Sequence, residues 1–244
     1  VTTVDVVVPV YNEERALPQT IPTLVDFLSS DRFPYEWRVI IGDNASTDRT
    51  PDVGRELEGA HPGKVQYVRI ERKGRGYALK QIWGNSSADI VSYMDVDLST
   101  GLDAFPELIA AIAERGYDVA TGSRLHPRSR VTRSLKRRIL TRGYNTMIKA
   151  LFFTRFSDAQ CGFKAVRTEA FKRMLPLIED NNWFFDTELL ILAEKAGYRI
   201  YDVPVEWVED PDTRVKIAAT VTEDLRGLMR MRLNRPWRRL AAGR

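Results

Sequence analysis

Apolar and polar positions along this chain switch between a short, strand-like period and a longer, helical one. Residues 4–10, Val-Asp-Val-Val-Val-Pro-Val, are rich in β-branched side chains and predict a buried strand. Tyr11-Asn12-Glu13-Glu14 then turns into a helix that reaches about residue 30. A second strand is predicted over 37–42. The polar loop Asp43-Asn44-Ala45-Ser46-Thr47-Asp48 follows it, with Ser46 or Thr47 placed to cap the next helix. Residues 65–70 read as strand and 77–86 as helix. The alternation repeats through a strand at 90–94, a helix at 105–115 and a strand at 118–121. Strands alternating with helices predict crossover units and a mostly parallel sheet covered on both faces, an α/β fold. Ligands of such sheets gather at the carboxyl ends of strands. Pro9, Tyr11, Asp43 and the pair Asp95 and Asp97 all fall there.

The second half is less regular. Residues 137–153 predict a helix whose broad apolar face holds Leu140, Tyr144, Ile148, Leu151 and Phe152. A short strand at 163–166 and a helix at 169–177 follow. Residues 184–195 are strongly periodic, and Gly197 is placed to end that helix. Residues 198–205 read as extended, with Pro204 arguing for an edge strand or a strand end. No internal repeat or linker divides the 244 residues, so 1–122 and 123–216 are expected to share one core, with 217–244 a basic amphipathic segment.

Composition fits a soluble globular protein, with 43% hydrophobic and 29% charged residues. A single cysteine, Cys161, excludes an internal disulfide. No apolar run approaches the ~18 residues of a membrane span, and the start shows no basic-then-apolar secretion signal. The net charge of +4 understates a local asymmetry. Residues 124–142 hold eight Arg or Lys and no acid, and residues 226–244 hold seven Arg and no acid. Such blocks suit a phosphate-rich partner, a nucleic acid or an anionic membrane face.

The chemistry centres on Ile90-Val91-Ser92-Tyr93-Met94-Asp95-Val96-Asp97, an apolar run ending in two carboxylates. Side chains alternate along an extended strand, so Asp95 and Asp97 can point to one side and share a divalent cation beneath a diphosphate. Lys73-Gly74-Arg75-Gly76-Tyr77 is not a dinucleotide fingerprint, since it follows the third strand and lacks the third glycine. A Gly-Lys-Ser/Thr phosphate loop is absent as well, which excludes nicotinamide enzymes and P-loop NTPases. The two glycines still permit close backbone approach, and Lys73, Arg75 or Lys80 can meet phosphate charge. Asp43 suits a base edge or a ribose, while Asp48 suits a helix cap. His61 and His126 lie far apart without Cys or His neighbours, which argues against zinc. Cys161 reads as a small packed residue. In Trp183-Phe184-Phe185-Asp186-Thr187-Glu188, the two carboxylates can complement a helix dipole, reach a sugar hydroxyl or hold a basic acceptor-site residue.

Assembled, these motifs resemble those of an inverting glycosyltransferase of family 2 with the A-type, Rossmann-like fold, a mixed and mostly parallel sheet with helices on both faces. The signatures are Val8-Pro9-Val10-Tyr11-Asn12-Glu13-Glu14, Asp43-Asn44-Ala45-Ser46-Thr47-Asp48, Lys73-Gly74-Arg75-Gly76-Tyr77-Ala78, Asp95-Val96-Asp97 and Gly122-Ser123-Arg124. Ser157-Asp158-Ala159-Gln160-Cys161-Gly162-Phe163-Lys164 and Trp183-Phe184-Phe185-Asp186-Thr187-Glu188-Leu189-Leu190 are similar to the polyprenyl-phosphate sugar synthases within it, dolichyl-phosphate glucosyltransferase-like proteins above all. The resemblance covers roughly residues 4–216. It implies that Asp43 contacts the base, that Pro9, Tyr11 and Glu13 line the nucleotide pocket with Lys73 near the phosphates, and that Asp95 and Asp97 hold Mg²⁺ or Mn²⁺. It further implies that Arg124, Lys164 and Arg214 face an acceptor phosphate, with Arg128 beside them. Two departures stand out: Asn44 replaces a usual aspartate, and Lys164 replaces a frequent arginine, a point charge for a fork.

The implied reaction is transfer of a hexose from a nucleotide sugar, UDP-glucose first and GDP-mannose next, to a polyprenyl monophosphate. The metal stabilises the leaving nucleoside diphosphate while the acceptor oxygen attacks the anomeric carbon from the opposite face. A lipid phosphate is already anionic and needs positioning more than deprotonation. A soluble or polysaccharide hydroxyl acceptor would instead recruit Asp158, Asp186 or Glu188 as base. Residues 133–140 mix cations with apolar side chains, as an interfacial helix would, so a peripheral enzyme on the cytoplasmic side of a membrane is expected, without a transmembrane helix. A nucleotidyltransferase would want a basic glycine-rich loop after the first strand. A nucleic-acid-binding module would want a recognition helix or a stacking ladder of aromatics, and neither appears.

Overall fold

The computed structural model describes residues 1–209 and 217–241. Seven strands form the main sheet: β1 (Thr3–Val10), β2 (Glu36–Asn44), β3 (Val65–Ile70), β4 (Ile90–Met94), β5 (Val119–Ser123), β7 (Phe163–Arg167) and β8 (Ile200–Pro204). Their spatial order is β3-β2-β1-β4-β7-β5-β8. A second, two-stranded parallel ladder joins β6 (Arg130–Thr132) to β9 (Glu206–Val208). The helices are α1 (Leu17–Leu28), α2 (Thr50–Ala60), α3 (Arg75–Asn85), α4 (Phe105–Ala113), α5 (Leu135–Phe152), α6 (Thr168–Met174), α7 (Phe185–Lys195), α8 (Ile217–Asn234) and α9 (Trp237–Ala241).

The valine run of β1 is buried on both faces, as a central strand of a parallel sheet must be. Val4, Val6 and Val8 meet Leu17, Ile21 and Leu24 of α1 and Phe105 and Leu108 of α4. Val7 faces the other way, into a core of Leu79 and Trp83 of α3, Phe171 of α6 and Leu189 of α7. The chain runs outward from β1 through β2 to β3, then returns to β4 on the other side of β1. The strand order therefore reverses between β1 and β4, which opens a crevice at the carboxyl ends of the parallel strands.

β7 runs antiparallel to both neighbours, so the sheet is mixed although mostly parallel. Its register sets Lys164 opposite Tyr93 and Phe163 opposite Met94. One step further, the Asp95 N–H donates to the Gly162 carbonyl at 3.2 Å. An antiparallel strand thus brings the start of β7 to the ligand end of β4.

Three expectations are revised by the fold. The helix after the Asp43 loop begins only at Thr50, beyond the reach of Ser46 and Thr47; Asp48 Oδ1 instead accepts the Thr50 N–H at 2.9 Å. The expected apolar face of the 137–153 helix packs only in part, through Tyr144, Ile148 and Phe152. α5 starts at Leu135 and buries Thr141, Asn145, Ile148 and Phe152, leaving Leu140 and Leu151 exposed. Asn145 is drawn inward because its Oδ1 accepts the Ala159 N–H at 2.9 Å. The β6–β9 ladder was not foreseen at all, since three-residue strands carry too short a pattern to read. Pro204 does end the edge strand β8. Among the described residues no helix is long and apolar enough to cross a membrane.

Candidate active site

The loops after β1 and β2 are fastened to each other across the crevice. Asn12 takes a positive φ of 56°. Its N–H donates to Ser46 Oγ at 2.9 Å, and its Oδ1 accepts the Thr47 N–H at 2.8 Å. The Glu13 N–H donates to Thr50 Oγ1 at 2.8 Å, and Glu14 Oε2 accepts the Arg49 N–H at 2.9 Å. Pro9, one residue before the end of β1, is half-buried, and the Tyr11 ring carries Lys73 Nζ 3.6 Å from its centroid. Asn12 had no assigned role in the sequence. Its signal is the short polar side chain able to adopt left-handed backbone and bond locally.

Asp43 is fully buried at the end of β2. Its Oδ1 accepts the Ser46 N–H at 2.9 Å, while Oδ2 accepts from Tyr67 Oη at 2.5 Å and Arg69 Nη1 at 3.1 Å. Burial and the bond to Asp43 push the Tyr67 phenol up to about 12. A carboxylate offers about four acceptor sites, so one remains beyond these three partners. Asn44 is committed elsewhere: its Oδ1 accepts the Gly74 N–H at 2.8 Å. The glycines that follow are used for packing. A Cβ on Gly76 would stand 2.7 Å from Phe185 Cβ, and one on Gly74, at φ +149°, would stand 2.6 Å from the Asn181 carbonyl oxygen. The close approach they permit is to the 181–185 backbone.

Asp95 and Asp97 follow β4 directly. Asp97 is exposed, its Oδ1 accepting the Ser99 N–H at 2.9 Å. Asp95 accepts from Arg75 Nη2 at 2.8 Å. The Arg75 guanidinium lies between the rings of Tyr93 and Trp183, 4.9 Å from each centroid, and 3.7 Å from Asp186. Asp186, buried at the start of α7, also receives Tyr93 Oη and Lys164 Nζ, the latter at 3.2 Å. Lys164 is fully buried and donates besides to the Cys161 carbonyl at 2.5 Å. Desolvation pushes the Asp95 carboxyl up, with Arg75 opposing it and Asp97 and Asp186 adding to it. The Gly162 position is as constrained as any here: a Cβ there would stand 1.8 Å from Asp95 Oδ2. Only glycine lets the carboxylate lie against the backbone of β7's approach.

Oxygen donors alone suit Mg²⁺ or Mn²⁺. Among the described residues no group of three or more His, Cys, Asp or Glu converges on one point. Asp95 and Asp97 therefore fit a cation that takes its remaining ligands from a diphosphate and water, as Mg²⁺ commonly does.

On the far side, Arg124 forms a two-pronged pair with the buried Asp158, Nε at 2.7 Å and Nη2 at 2.9 Å, and its N–H adds a third bond at 3.1 Å. Burial alone would raise the Asp158 carboxyl; the Arg124 charge and hydrogen bonds hold it below the usual range. Arg128 is exposed on the following turn, and Arg214 lies outside the described residues. Glu188 is fully buried, accepting the Asp180 N–H at 2.7 Å and facing Arg230 Nη2 at 2.8 Å. Cys161 is buried, and desolvation pushes its thiol up to about 12, so it is an inert packing residue.

The sequence profile described as Glycosyl transferase family 2 matches residues 5–175. Glycosyltransferase AglD of Haloferax volcanii is 36% identical over 222 residues, which cover 89% of this chain and 35% of that protein. Dolichyl-phosphate beta-glucosyltransferase ALG5C of Trichomonas vaginalis is 27% identical over 224 residues, covering 88% of this chain and 66% of that protein. The chain thus spans about a third of the one and two thirds of the other. Among solved structures, glucosyl-3-phosphoglycerate synthase from Mycobacterium tuberculosis, in complex with Mn²⁺, UDP-glucose and phosphoglyceric acid, superposes with a TM-score of 0.69 at 19% identity, over 95% of this chain and 80% of that one. The fold is that of the A-type glycosyltransferases.

Two predictions follow the geometry. Gly162→Ala drives a methyl into Asp95 and is expected to weaken Mn²⁺ binding, followed by electron paramagnetic resonance with nucleoside diphosphate present, by about tenfold or more, roughly 1.4 kcal/mol. Asp97→Ala should match it. Undiminished Mn²⁺ affinity in both variants would place the metal elsewhere. Asp43→Ala should cost free nucleotide about 1–3 kcal/mol of affinity by calorimetry, the worth of a hydrogen bond to a charged group. It should also lower Tm, because Arg69 and Tyr67 lose a buried partner. A lower Tm with unchanged nucleotide affinity would confine Asp43 to a structural role.

Proposed function

The chain belongs to glycosyl transferase family 2, and on that premise we propose that it transfers a hexose, with inversion, from a nucleotide sugar to a polyprenyl monophosphate. UDP-glucose is the first candidate donor and GDP-mannose the second. Residues 1–122 take the donor and residues 123–216 the acceptor, and residues 217–244 are the basic amphipathic segment. The observation that carries the reading is the meeting, at one sheet edge, of an acidic pair after β4 with Arg75, Lys164 and Arg124 from distant parts of the chain. The similarity to dolichyl-phosphate beta-glucosyltransferases supports the acceptor class.

In the proposed mechanism Asp43, Pro9, Tyr11 and Glu13 seat the nucleoside, and Lys73 and Arg75 lie toward its phosphates. A Mg²⁺ or Mn²⁺ held by Asp95 and Asp97 would neutralise the leaving diphosphate. An acceptor phosphate oxygen attacks the anomeric carbon from the face opposite the diphosphate; the new C–O bond forms as the bond to the diphosphate breaks. A phosphate monoester carries about −1.5 to −2 charge at neutral pH, so no proton need be removed. Arg124, fixed by Asp158, orients the acceptor with Arg128 and Arg214. Lys164 acts through the field it adds beneath them, since its ammonium is enclosed by Asp186 and the Cys161 carbonyl.

A neutral hydroxyl acceptor would need a general base. The candidates are occupied: Asp158 by Arg124, Asp186 by Lys164 and Tyr93, Glu188 by Arg230. Arg124 holds the Asp158 carboxyl below the usual range, which makes it a weak proton acceptor, and the other two are engaged in buried contacts; this favours the charged acceptor.

The partner surface is proposed to be an anionic membrane face. α5 turns Leu135 and Ile139 outward, and α8 turns Val221, Leu225, Met229 and Leu233 outward at four-residue spacing, among exposed Lys136, Arg138, Arg226 and Arg232. Apolar stripes flanked by cations suit an anionic interface.

Competition between a short prenyl phosphate and its alcohol at fixed UDP-glucose tests the acceptor: the phosphate should be glycosylated and the alcohol should be very poor. Equal transfer to both would overturn the lipid-phosphate assignment. For the membrane, the protein should sediment with phosphatidylglycerol vesicles more than with phosphatidylcholine vesicles, and Ile139→Glu with Met229→Glu should abolish the difference. Unchanged sedimentation of that double variant would exclude these two helices as the contact.

A further inference from the structure

We infer that Arg133 and Arg124, both laid against one indole, form the seat of a phosphate monoester, with Arg133 the cation left to meet it. The inference rests on the acceptor reading above and assigns a residue that reading does not use. The Arg124 guanidinium carbon lies 5.6 Å from the Trp207 ring centroid and that of Arg133 lies 5.2 Å from it. Arg124 is neutralised by its two-pronged pair with Asp158. Arg133 is not: its Nε is buried without a hydrogen-bond partner, and among the described residues no carboxylate pairs with its guanidinium. The neighbouring Glu209 is taken by Arg137 at 2.9 Å and by the Ser134 N–H at 2.7 Å. Burial and the nearby Arg124 charge push the Arg133 guanidinium down to about 10, the mark of a cation short of counter-charge.

The location fits an acceptor beside a donor. Trp207 sits in β9, opposite Val131 of β6, and bridges to Thr100 of the segment that follows Asp97. That segment is sewn to β9 by the Gly101 N–H to the Glu206 carbonyl at 2.9 Å and the Val208 N–H to the Ser99 carbonyl at 3.0 Å. The short ladder therefore ties the two-arginine seat to the loop that carries the acidic pair. A phosphate monoester supplies a near-dianion with three acceptor oxygens, which matches a guanidinium fork better than any neutral hydroxyl does. The chemistry is shared by a prenyl phosphate and by a soluble phosphate monoester, and the test separates them.

The experiment is calorimetry on the full chain without donor, titrating citronellyl phosphate, citronellol, 3-phosphoglycerate and UDP in turn. Citronellyl phosphate is expected to bind and citronellol to bind at least about tenfold more weakly. Arg133→Gln should reduce citronellyl phosphate affinity by about tenfold or more while leaving UDP affinity and Tm unchanged, and Arg133→Lys should restore part of it. Equal Arg133-dependent binding of 3-phosphoglycerate would support the seat and assign it to the phosphate group alone; preference for citronellyl phosphate would assign it to the lipid. No binding of either phosphate, undiminished binding in Arg133→Gln, or a parallel loss of UDP affinity would each overturn the inference. The broader reading fails separately: citronellyl phosphate bound through Arg133 but never glycosylated removes the proposed reaction and leaves the seat, whereas glycosylation with an unaltered acceptor KM in Arg133→Gln does the reverse.

Discussion

The structure depends on the cost of burying Lys164. An ammonium with no exposed surface is tolerated only when its charge is matched at close range and its donors are used. Asp186 supplies the charge at 3.2 Å, and the Cys161 carbonyl takes a further hydrogen bond. Satisfying Lys164 in this way fixes four elements at one point: β7 carries the lysine, α7 the aspartate, β4 the Tyr93 phenol and α3 the Arg75 guanidinium. Arg75 is then shared between Asp186 at 3.7 Å and Asp95 at 2.8 Å. Two cations and two carboxylates balance, and the balance holds Asp95 at the mouth of the crevice. Removing Asp186 alone would strand a buried cation, a loss of about 3–5 kcal/mol for broken buried pairs.

The donor side is braced from the same place. The Tyr77 N–H reaches the Asn181 carbonyl at 2.9 Å, which leads α3 back toward the start of α7. Asn44 holds Gly74, so the loop after β2 is tied to the start of α3. Asn12 and Glu14 tie the loop after β1 to the loop after β2. The loops after β1, β2 and β3 are thus each anchored through backbone groups of a neighbouring segment. The polar side chains in the Asp43–Asp48 and Tyr11–Glu14 motifs spend much of their bonding capacity on one another, which leaves the loops shaped before any ligand arrives.

The strands of the first half were legible because burial on both faces writes long β-branched runs, as in residues 4–10 and 90–94. The place of Asp95 and Asp97 at the end of such a run was legible, but not their backbone: they lie past β4 in a turn closed by the Leu98 N–H on the Asp95 carbonyl at 3.1 Å, not on the extended strand that side-chain alternation assumed. What stayed hidden depends on pairing between distant segments. Nothing local marks β7 as antiparallel, yet that direction is what sets Gly162 against Asp95. The inward face of α5 is partly polar because Asn145 serves the Ala159 backbone, so a count of apolar residues finds Ile148 and Phe152 but misplaces Leu140 and Leu151. Asp43 and Asn44 look alike in sequence as ligand contacts, but one anchors Arg69 and the other Gly74. Arg133 was one cation in a block of eight, and only the fold shows that Arg124, Arg130 and Arg137 are matched while its buried Nε is not.

Charge placement across the crevice also orders the two halves of a transfer reaction. On the β4 side Arg75 pairs with Asp95 while Asp97 is left exposed, which under the proposed function suits a diphosphate that brings a divalent cation with it. On the β9 side the sign is opposite: Asp158 and Glu209 are each consumed by an arginine, and Arg133 remains over Trp207. Under the proposed function a metal-bound diphosphate suits the first site and a metal-free phosphate monoester the second. The segment from Ser99 to Gly101, held to β9 by two backbone hydrogen bonds, keeps these opposite fields at a fixed separation. A nucleotide sugar and a phosphate acceptor would be sorted by charge before any contact with the sugar or the lipid chain is made. That sorting needs no moving part, only the register of a three-residue ladder that pins one tryptophan beside the loop of the acidic pair.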